Sequence, residues 1–204
     1  MIGPVCVITD ADAPLTIPEQ AEAAARGGAD LVQLRHKGLD DDAFAELGRA
    51  VLERIAPLGA RLVVNDRVAV ACAIGAQGLH IGQSDGAPQA VRALIGPGML
   101  LGLSIEVPAQ VHDVPEGVVD YLGVGPIRAT ASKSDHAPPM GFEGLAAVTA
   151  ATSLPCLAIG GLTAGDATAL RAAGAAGLAV VSAVTRAADP QAATRAIADA
   201  WRLG

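Results

Sequence analysis

The stretch of this sequence most suited to chemistry is a strand that opens into a polar loop, between residues 120 and 133. Residues 121–124 are apolar and predict a β-strand, which Gly125-Pro126 then ends. The loop that follows carries two hydroxyls and one ammonium, from Thr130, Ser132 and Lys133. Such donors suit a phosphate group, although a loop of this length is also compatible with a mobile surface turn. The stretch therefore predicts an anion-binding loop.

Lysine is scarce in this chain, and its positions support that prediction. Only two of the 14 basic residues are lysines, Lys37 and Lys133, and both follow predicted strands. A compact ammonium on a flexible stem binds phosphate as a point charge, and arginine does not replace it freely. The single asparagine, Asn65, also follows a strand. The rarest polar side chains thus gather at strand ends.

The charged residues that follow strands sort into cations and paired carboxylates. Arg35 joins the two lysines as a third cation, and Asp66 and Asp85 provide two carboxylates after neighbouring strands. Carboxylates that hold Mg²⁺ beside basic side chains are typical of a metal–diphosphate site. For Asp66 taken alone, an ion pair with the arginine that follows it or a cap on the next helix is the favoured interpretation.

The elements that must position these residues alternate strictly between strand and helix. Strands are predicted at 4–9, 31–35, 61–64, 78–81, 99–104, 121–124, 155–159 and 177–181. Helices are predicted at 17–26, 40–55, 67–74, 88–95, 108–114, 142–151, 166–173 and 190–203. Strict alternation predicts an α/β fold with a parallel sheet. Because eight such units divide the chain evenly, we favour a (β/α)₈ TIM barrel over an open doubly wound sheet.

A second anion site is expected where the last two predicted strands end. Gly160-Gly161 follows the seventh strand, and Val181-Ser182 follows the eighth. In a (β/α)₈ barrel these positions form the usual phosphate pocket, from backbone N–H groups and a helix N-terminus. The sequence therefore predicts one diphosphate site and one monophosphate site.

The composition bounds the class of protein. With 204 residues, 51% of them hydrophobic and 17% charged, the chain fits one well-buried domain spanning residues 1–204. The net charge of −7 argues against a nucleic-acid surface, and no apolar run approaches the roughly 18 residues of a membrane span. The N-terminus shows no secretory pattern, so we expect a cytoplasmic protein. A homo-oligomer is compatible with the sequence.

Cysteine and histidine show no spacing typical of a metal or nucleophilic site. Cys6, Cys72 and Cys156 are far apart in apolar elements and are predicted to be reduced, buried thiols. His80 lies inside the fourth strand and is expected to be a hydrogen-bonded barrel residue. No zinc-like spacing and no evident Ser-His-Asp set occur.

Seven motifs, in order and with the right gaps along nearly the whole chain, resemble the thiamine phosphate synthase family. They are Gln33-Leu-Arg35-x-Lys37, Asn65-Asp66-Arg67, Gly78-Leu-His80-Ile-Gly82-Gln83-x-Asp85, Gly102-Leu-Ser104, Gly123-Val-Gly125-Pro126-Ile127-x-x-Thr130-x-Ser132-Lys133, Ile159-Gly160-Gly161 and Val180-Val181-Ser182. Each motif is weak alone, but seven in register are specific.

The resemblance implies a (β/α)₈ enzyme that joins hydroxymethylpyrimidine diphosphate to a thiazole phosphate and releases diphosphate by a dissociative, Mg²⁺-assisted substitution. Mg²⁺ would be held by Asp66 and Asp85. Gln33 would lie near the pyrimidine. The diphosphate side would be bound by Arg35, Lys37, Asn65, Ser104 and Lys133, of which all but the asparagine would also be catalytic. The thiazole phosphate end would be contacted by Thr130, Ser132, Gly161, Val181 and Ser182.

Two positions depart from the family pattern, and three other functions stay open. Glu106 stands where members often carry histidine, and Arg128 where they usually carry an aromatic residue. A thiazole tautomerase of the same fold is the nearest alternative, but such relatives tend to lack the diphosphate and metal residues. A Schiff-base lyase using Lys37 or Lys133 and a non-catalytic binder of phosphorylated metabolites are the others.

Overall fold

The computed structural model describes residues 2–130 and 137–203 and contains a closed barrel of parallel strands. In chain order the strands are β1 (Val5–Ile8), β2 (Leu31–Leu34), β3 (Arg61–Asn65), β4 (Gly78–Ile81), β5 (Leu100–Ile105), β6 (Tyr121–Val124), β7 (Cys156–Ile159) and β8 (Gly177–Val180). Each strand pairs with the next, and β8 pairs with β1, so the sheet has no edge. The predicted (β/α)₈ TIM barrel is confirmed, and the open sheet is excluded.

The helices follow the strands in turn. They are α1 (Ile17–Gly27), α2 (Asp41–Ile55), α3 (Val68–Ile74), α4 (Pro88–Ile95), α5 (Gly141–Ala150), α6 (Ala167–Ala172), α7 (Ser182–Thr185) and α8 (Pro190–Leu203). Short 3₁₀ helices occupy Ala56–Leu58, Pro108–Asp113 and Ala164–Asp166. Within residues 2–130 and 137–203, a helix with the length and apolar character of a membrane span does not occur.

The crossover between β5 and β6 corrects one prediction. An α-helix was expected over 108–114, whereas the segment Pro108–Asp113 is a 3₁₀ helix. Pro108 and Pro115 bracket it, and a segment this short between prolines favours the tighter 3₁₀ turn. The four-residue helix α7 between β8 and α8 was not predicted at all.

The barrel wall separates two buried layers, which explains why its strands are apolar on both faces. The interior layer consists of Cys6, Ile8, Leu31, Val63, Tyr121, Leu157 and Ala179. The intervening strand residues, such as Val7, Val32 and Leu122, pack outward against the helices in a larger core. Along each strand, alternate residues therefore face the barrel axis, and this alternation decides which side chains reach the site.

Local signals at helix ends hold the units in place. The backbone N–H and the hydroxyl of Thr16 both donate to Glu19 Oε2, at 2.9 and 2.6 Å, and so cap α1. Asp40 caps α2 by accepting from Ala43 N at 2.8 Å. Gly28 ends α1 with a left-handed φ of 99°, the conformation that favours glycine.

The cysteines follow the prediction at two positions out of three. Cys6 and Cys156 are buried, but Cys72 is exposed. Helix α3 directs Val70 and Ala71 inward, and Cys72 therefore lies on its outward side. The prediction that Cys72 is buried is wrong. All seven residues of α3 are apolar, so the sequence does not show which side of this helix packs against the barrel.

Candidate active site

A cavity of about 620 Å³ opens at the carboxyl ends of the strands. It is lined by every predicted site residue in the described part of the chain: Gln33, Arg35, Lys37, Asn65, Asp66, Asp85, Ser104, Thr130, Gly161, Val181 and Ser182. The other two, Ser132 and Lys133, lie outside the described residues. Gln33 lies on β2, and Arg35 and Lys37 lie in the loop that follows it, so all three line the cavity from the end of the same strand.

The end of β2 is held in place by β1. Thr9, which is buried, accepts a hydrogen bond from Arg35 N at 3.0 Å and donates one to Arg35 O at 3.3 Å. A smaller pocket of about 290 Å³ adjoins the cavity and shares Arg35, Lys37 and Asp66 with it. The side chain of Arg35 is therefore presented from a fixed backbone.

Arg67 turns away from the carboxylate that precedes it. Its guanidinium forms an ion pair with Asp41 at 2.6 Å and lies 4.5 Å from the centroid of the Phe44 ring. No side chain caps the start of α3, whose N-cap residue is Arg67 itself. Neither structural role considered for Asp66, an ion pair with Arg67 or a helix cap, is what the structure shows.

Asp66 and Asp85 form an acidic corner of the cavity. Burial, and then the charge of Asp85, raise the pKa of Asp66 above its usual value. Asn65 Nδ2 donates to Asp66 Oδ2 at 2.6 Å, and Gly82 N donates to Asp85 Oδ2 at 2.7 Å. Asp66 also adopts a left-handed φ of 54°, which is uncommon outside glycine and frequent at functional sites.

The donor set of this corner fits a hard divalent cation. Two oxygen-bearing side chains of like charge are ligands that Mg²⁺ accepts, and a cation relieves their repulsion. Among residues 2–130 and 137–203, no group of three or more His, Cys, Asp or Glu side chains is placed to hold a metal. At phosphate sites, Mg²⁺ usually keeps several waters and is bound by one or two carboxylates together with substrate oxygens.

Ser104 at the end of β5 belongs to a hydrogen-bonded series that crosses the barrel. Its hydroxyl lies 2.9 Å from His80 Nε2, and His80 Nδ1 lies 3.0 Å from the Tyr121 hydroxyl. Gly102 and Gly123 make room for the His80 ring, because a side chain at either position would collide with it. The prediction that His80 is a hydrogen-bonded barrel residue is confirmed.

The opposite side of the cavity is built from the loops after β6, β7 and β8. Gly160 and Gly161 have left-handed φ values of 103° and 66°, and Ser182 is the first residue of α7. A Cβ atom on Gly161 would lie 2.8 Å from Ala129 O and 2.9 Å from Arg128 Cβ. The loop after β6 thus packs directly on the loop after β7, and only glycine fits between them.

The two residues that depart from the family pattern, Glu106 and Arg128, lie at different places relative to the cavity. Glu106 lines the cavity. Arg128 lies outside its lining and forms an ion pair with the buried Asp166 at 2.7 Å. Its guanidinium also lies 5.3 Å from the centroid of the Phe142 ring. Arg128 therefore joins the loop after β6 to the helices beside it.

The structure adds lining residues that the sequence did not single out, among them Tyr121, Leu162 and Thr163. Tyr121 is predictable in retrospect, because it is two residues before Gly123 and four before Gly125 on an alternating strand. Leu162 and Thr163 follow the glycine pair in a loop whose path depends on packing. Nothing in the local sequence marks them.

Comparison with known proteins gives the family. A model of the family described as thiamine monophosphate synthase matches residues 5–184. The thiamine-phosphate synthase of Roseiflexus castenholzii is 43% identical over 199 residues, which cover 97% of this chain and 87% of that relative. The chain belongs to the thiamine monophosphate synthase family. It is accordingly an enzyme, a transferase of thiamine biosynthesis.

Other relatives agree with this family. The thiamine-phosphate synthase of Albidiferax ferrireducens is 47% identical over 175 residues, covering 86% of this chain and 80% of the relative. The solved structure of a thiamine phosphate pyrophosphorylase from Pyrococcus furiosus superposes with a TM-score of 0.89 at 29% identity, covering 98% of this chain and 97% of that one. A 3-hexulose-6-phosphate synthase, 17% identical with a TM-score of 0.71, shares the fold alone.

Proposed function

We propose that this enzyme condenses 4-amino-5-hydroxymethyl-2-methylpyrimidine diphosphate with 4-methyl-5-(2-hydroxyethyl)thiazole phosphate to give thiamine phosphate and diphosphate. The carboxylated form of the thiazole would give the same two products and release its carboxyl group as CO₂. One observation carries the proposal. A single cavity gathers Arg35 and Lys37 beside Asp66 and Asp85, and it places the glycine loop after β7 on its other side. A cavity with two ends suited to anions fits two phosphorylated substrates.

The cavity divides naturally between the two substrates. On the β2 to β5 side, the diphosphate would be bound by Arg35, Lys37, Asn65 and Ser104, with Lys133 from the loop after β6. Gln33, which is nearly fully buried, would contact the pyrimidine. On the β6 to β8 side, the thiazole phosphate would be bound by Thr130, Ser132, Gly161, Val181 and Ser182.

Asp66 and Asp85 would hold Mg²⁺ in this proposal. When bound, the ion would neutralise negative charge on the diphosphate oxygens. Burial, and then the charge of Asp85, raise the pKa of Asp66, and a cation bound between the two carboxylates would offset both effects. Asn65 and Gly82 hold the two carboxylates from behind through their hydrogen bonds.

The reaction needs stabilisation of charge and positioning more than it needs a nucleophile. The bond between the pyrimidine methylene and the diphosphate oxygen breaks, the electron pair leaves with diphosphate, and the aminopyrimidine delocalises the resulting cation. The thiazole nitrogen then donates its lone pair to the methylene carbon. Arg35, Lys37 and Ser104 would stabilise the departing charge, while the fixed cavity wall orients the two rings.

The proposed chemistry distinguishes the synthase from the alternatives. A thiazole tautomerase does not need a diphosphate-binding site. Here the residues suited to such a site, Arg35, Lys37, Asp66 and Asp85, line one cavity. A Schiff-base lyase would form a covalent imine with a lysine. Borohydride added with substrate would trap that imine, and we expect no covalent adduct.

The deciding experiment mixes the purified protein, Mg²⁺ and the two substrates and assays thiamine phosphate and diphosphate. We expect equimolar formation of both products, dependent on each substrate and abolished by a chelator. The variant Lys37→Met should lower kcat by about 10²- to 10³-fold, because it removes a cation at the leaving group. Binding of both substrates without product would contradict the proposal and indicate a binding protein.

A further inference from the structure

The Tyr121 hydroxyl is buried inside the barrel and lies against the His80 ring. Tyr121 is 2% exposed, and burial raises the pKa of its phenol well above the usual value, so it keeps its proton. Among the residues that the structure describes, its hydroxyl lies within hydrogen-bond distance of His80 Nδ1 alone, at 3.0 Å. A buried O–H donor that is not donated is costly, so the phenol must donate to this nitrogen.

This donation fixes the tautomer of the His80 ring. If Tyr121 donates to Nδ1, then Nδ1 accepts and the ring carries its proton on Nε2. The other tautomer would direct an N–H at the phenol oxygen and leave the phenol proton without an acceptor. The buried phenol therefore selects the tautomer with Nε2–H.

The tautomer of His80 also determines the hydrogen bonding of Ser104. With a proton on Nε2, the His80 ring donates to Ser104 Oγ across 2.9 Å. The hydroxyl of Ser104 then has its own proton available for a different acceptor. Ser104 lines the cavity, and its backbone carbonyl is already held by Gln83 Nε2 at 2.6 Å. The three groups thus form a one-way series of donors that runs from the barrel interior to the cavity.

We propose that Tyr121 is a positioning residue that acts through His80. It orients the Ser104 hydroxyl so that this group donates a hydrogen bond into the cavity, toward the departing diphosphate. The inference rests on the proposed function, which places the leaving group on this side. Donors arranged in series polarise one another, so the last hydroxyl becomes a stronger donor to an anion. A donor oriented in advance needs no reorganisation as charge develops.

The tautomer is tested directly by ¹⁵N NMR of the histidine-labelled protein. The chain has four histidines, and the spectrum of His80→Gln identifies the signals of His80. We expect an unprotonated Nδ1 and a protonated Nε2 in the wild-type protein, and a loss of this preference in Tyr121→Phe. A wild-type ring protonated on Nδ1 would overturn the proposal whatever the enzyme does.

The kinetic arm is a double-mutant cycle between Tyr121→Phe and Ser104→Ala. We expect Tyr121→Phe to lower kcat about tenfold with KM changed less than about twofold, and Ser104→Ala to lower kcat by about 10²-fold. In the Ser104→Ala background, Tyr121→Phe should have almost no further effect, because it acts through the missing hydroxyl. An equal loss in both backgrounds would show a merely structural role and overturn the proposal.

A matched control removes a different buried hydroxyl. Thr194 Oγ1 donates to Pro190 O at 2.8 Å in α8, outside the cavity lining. Thr194→Val should lower stability without changing kcat or the His80 spectrum. If the wild-type protein formed no thiamine phosphate at all, the proposed function would fail, while the NMR arm would still decide the tautomer.

Discussion

The carboxylates of Asp66 and Asp85 lie close enough for the charge of one to raise the pKa of the other. We expect Asp85→Asn to raise the Mg²⁺ concentration for half-maximal rate by at least about tenfold. Loss of a residue that only supports a metal ligand already lowers metal affinity by about that factor, and Asp85 is proposed to be a ligand itself. The amide oxygen of asparagine can still accept from Gly82 N, so the turn should survive. Initial rates against Mg²⁺, with the unfolding midpoint as control, check this. An unchanged Mg²⁺ titration would rule out the ligand role.

Gly161 allows a matched pair of substitutions at the residue scale. Gly161 and Gly75 have nearly the same φ, 66° and 67°, but a Cβ atom on Gly75 would have no neighbour within 4 Å, whereas one on Gly161 would meet Ala129 O at 2.8 Å. Gly75→Ala should cost about 1–2 kcal/mol through backbone strain alone. Gly161→Ala should cost about 1–3 kcal/mol more through overpacking, and should raise KM for the thiazole phosphate. Equal losses of stability in urea unfolding would contradict the close packing of the two loops.

At the scale of elements, Asp166 connects two loops at the rim of the barrel. Its Oδ2 accepts from Thr163 N at 2.9 Å and Thr163 Oγ1 at 3.1 Å, while Oδ1 pairs with Arg128 at 2.7 Å. Asp166→Ala removes a buried cap and the ion pair together, so it should lower stability by about 1–3 kcal/mol. Arg128→Met removes only a half-exposed partner and should cost less than about 1 kcal/mol.

Denaturant unfolding of the two single variants and the double variant measures this difference. Because both substitutions break the same ion pair, their effects should be less than additive. Strict additivity would show that the Arg128–Asp166 contact contributes nothing measurable. A loss for Arg128→Met as large as that for Asp166→Ala would place the stabilising role on the arginine instead of the cap.

At the scale of the whole molecule, folding changes the acidity of the buried thiols. Burial raises the pKa of Cys6 from 9.0 to about 12 and that of Cys156 to about 11. Between pH 9 and these values, the unfolded chain has released protons that the folded chain retains. Stability conferred by the protonated thiols is therefore complete below pH 9 and is lost as the pH rises above it.

Cys6→Ala isolates this effect. From pH 8 to pH 10, the wild-type protein should lose ~1 kcal/mol more of its unfolding free energy than Cys6→Ala does, because only the wild type carries the Cys6 linkage. Urea unfolding at the two pH values gives the comparison, and groups common to both proteins cancel. The same loss in both proteins would mean that Cys6 ionises as readily in the fold as in the unfolded chain.

The sequence predicted most of the barrel and most of the candidate site because both depend on local patterns. The apolar strands that alternate with helical segments, and the polar residues that follow those strands, were readable without tertiary information. The orientation of Cys72 was not, since packing of neighbouring helices decides which side of α3 is covered. Long-range partners were equally hidden, as the pairing of Arg67 with Asp41 from 26 residues earlier shows.

The pairing of β8 with β1 joins the last strand of the barrel to the first. On the ribosome, β1 emerges long before residues 177–180, and during that interval the incomplete sheet has two unpaired edge strands. The unpaired backbone N–H and C=O groups of an edge strand can pair with other chains. A nascent chain stalled before residue 177 should therefore depend on chaperones, whereas the released full-length chain should not. Truncated chains produced by early stop codons are expected to aggregate for the same reason.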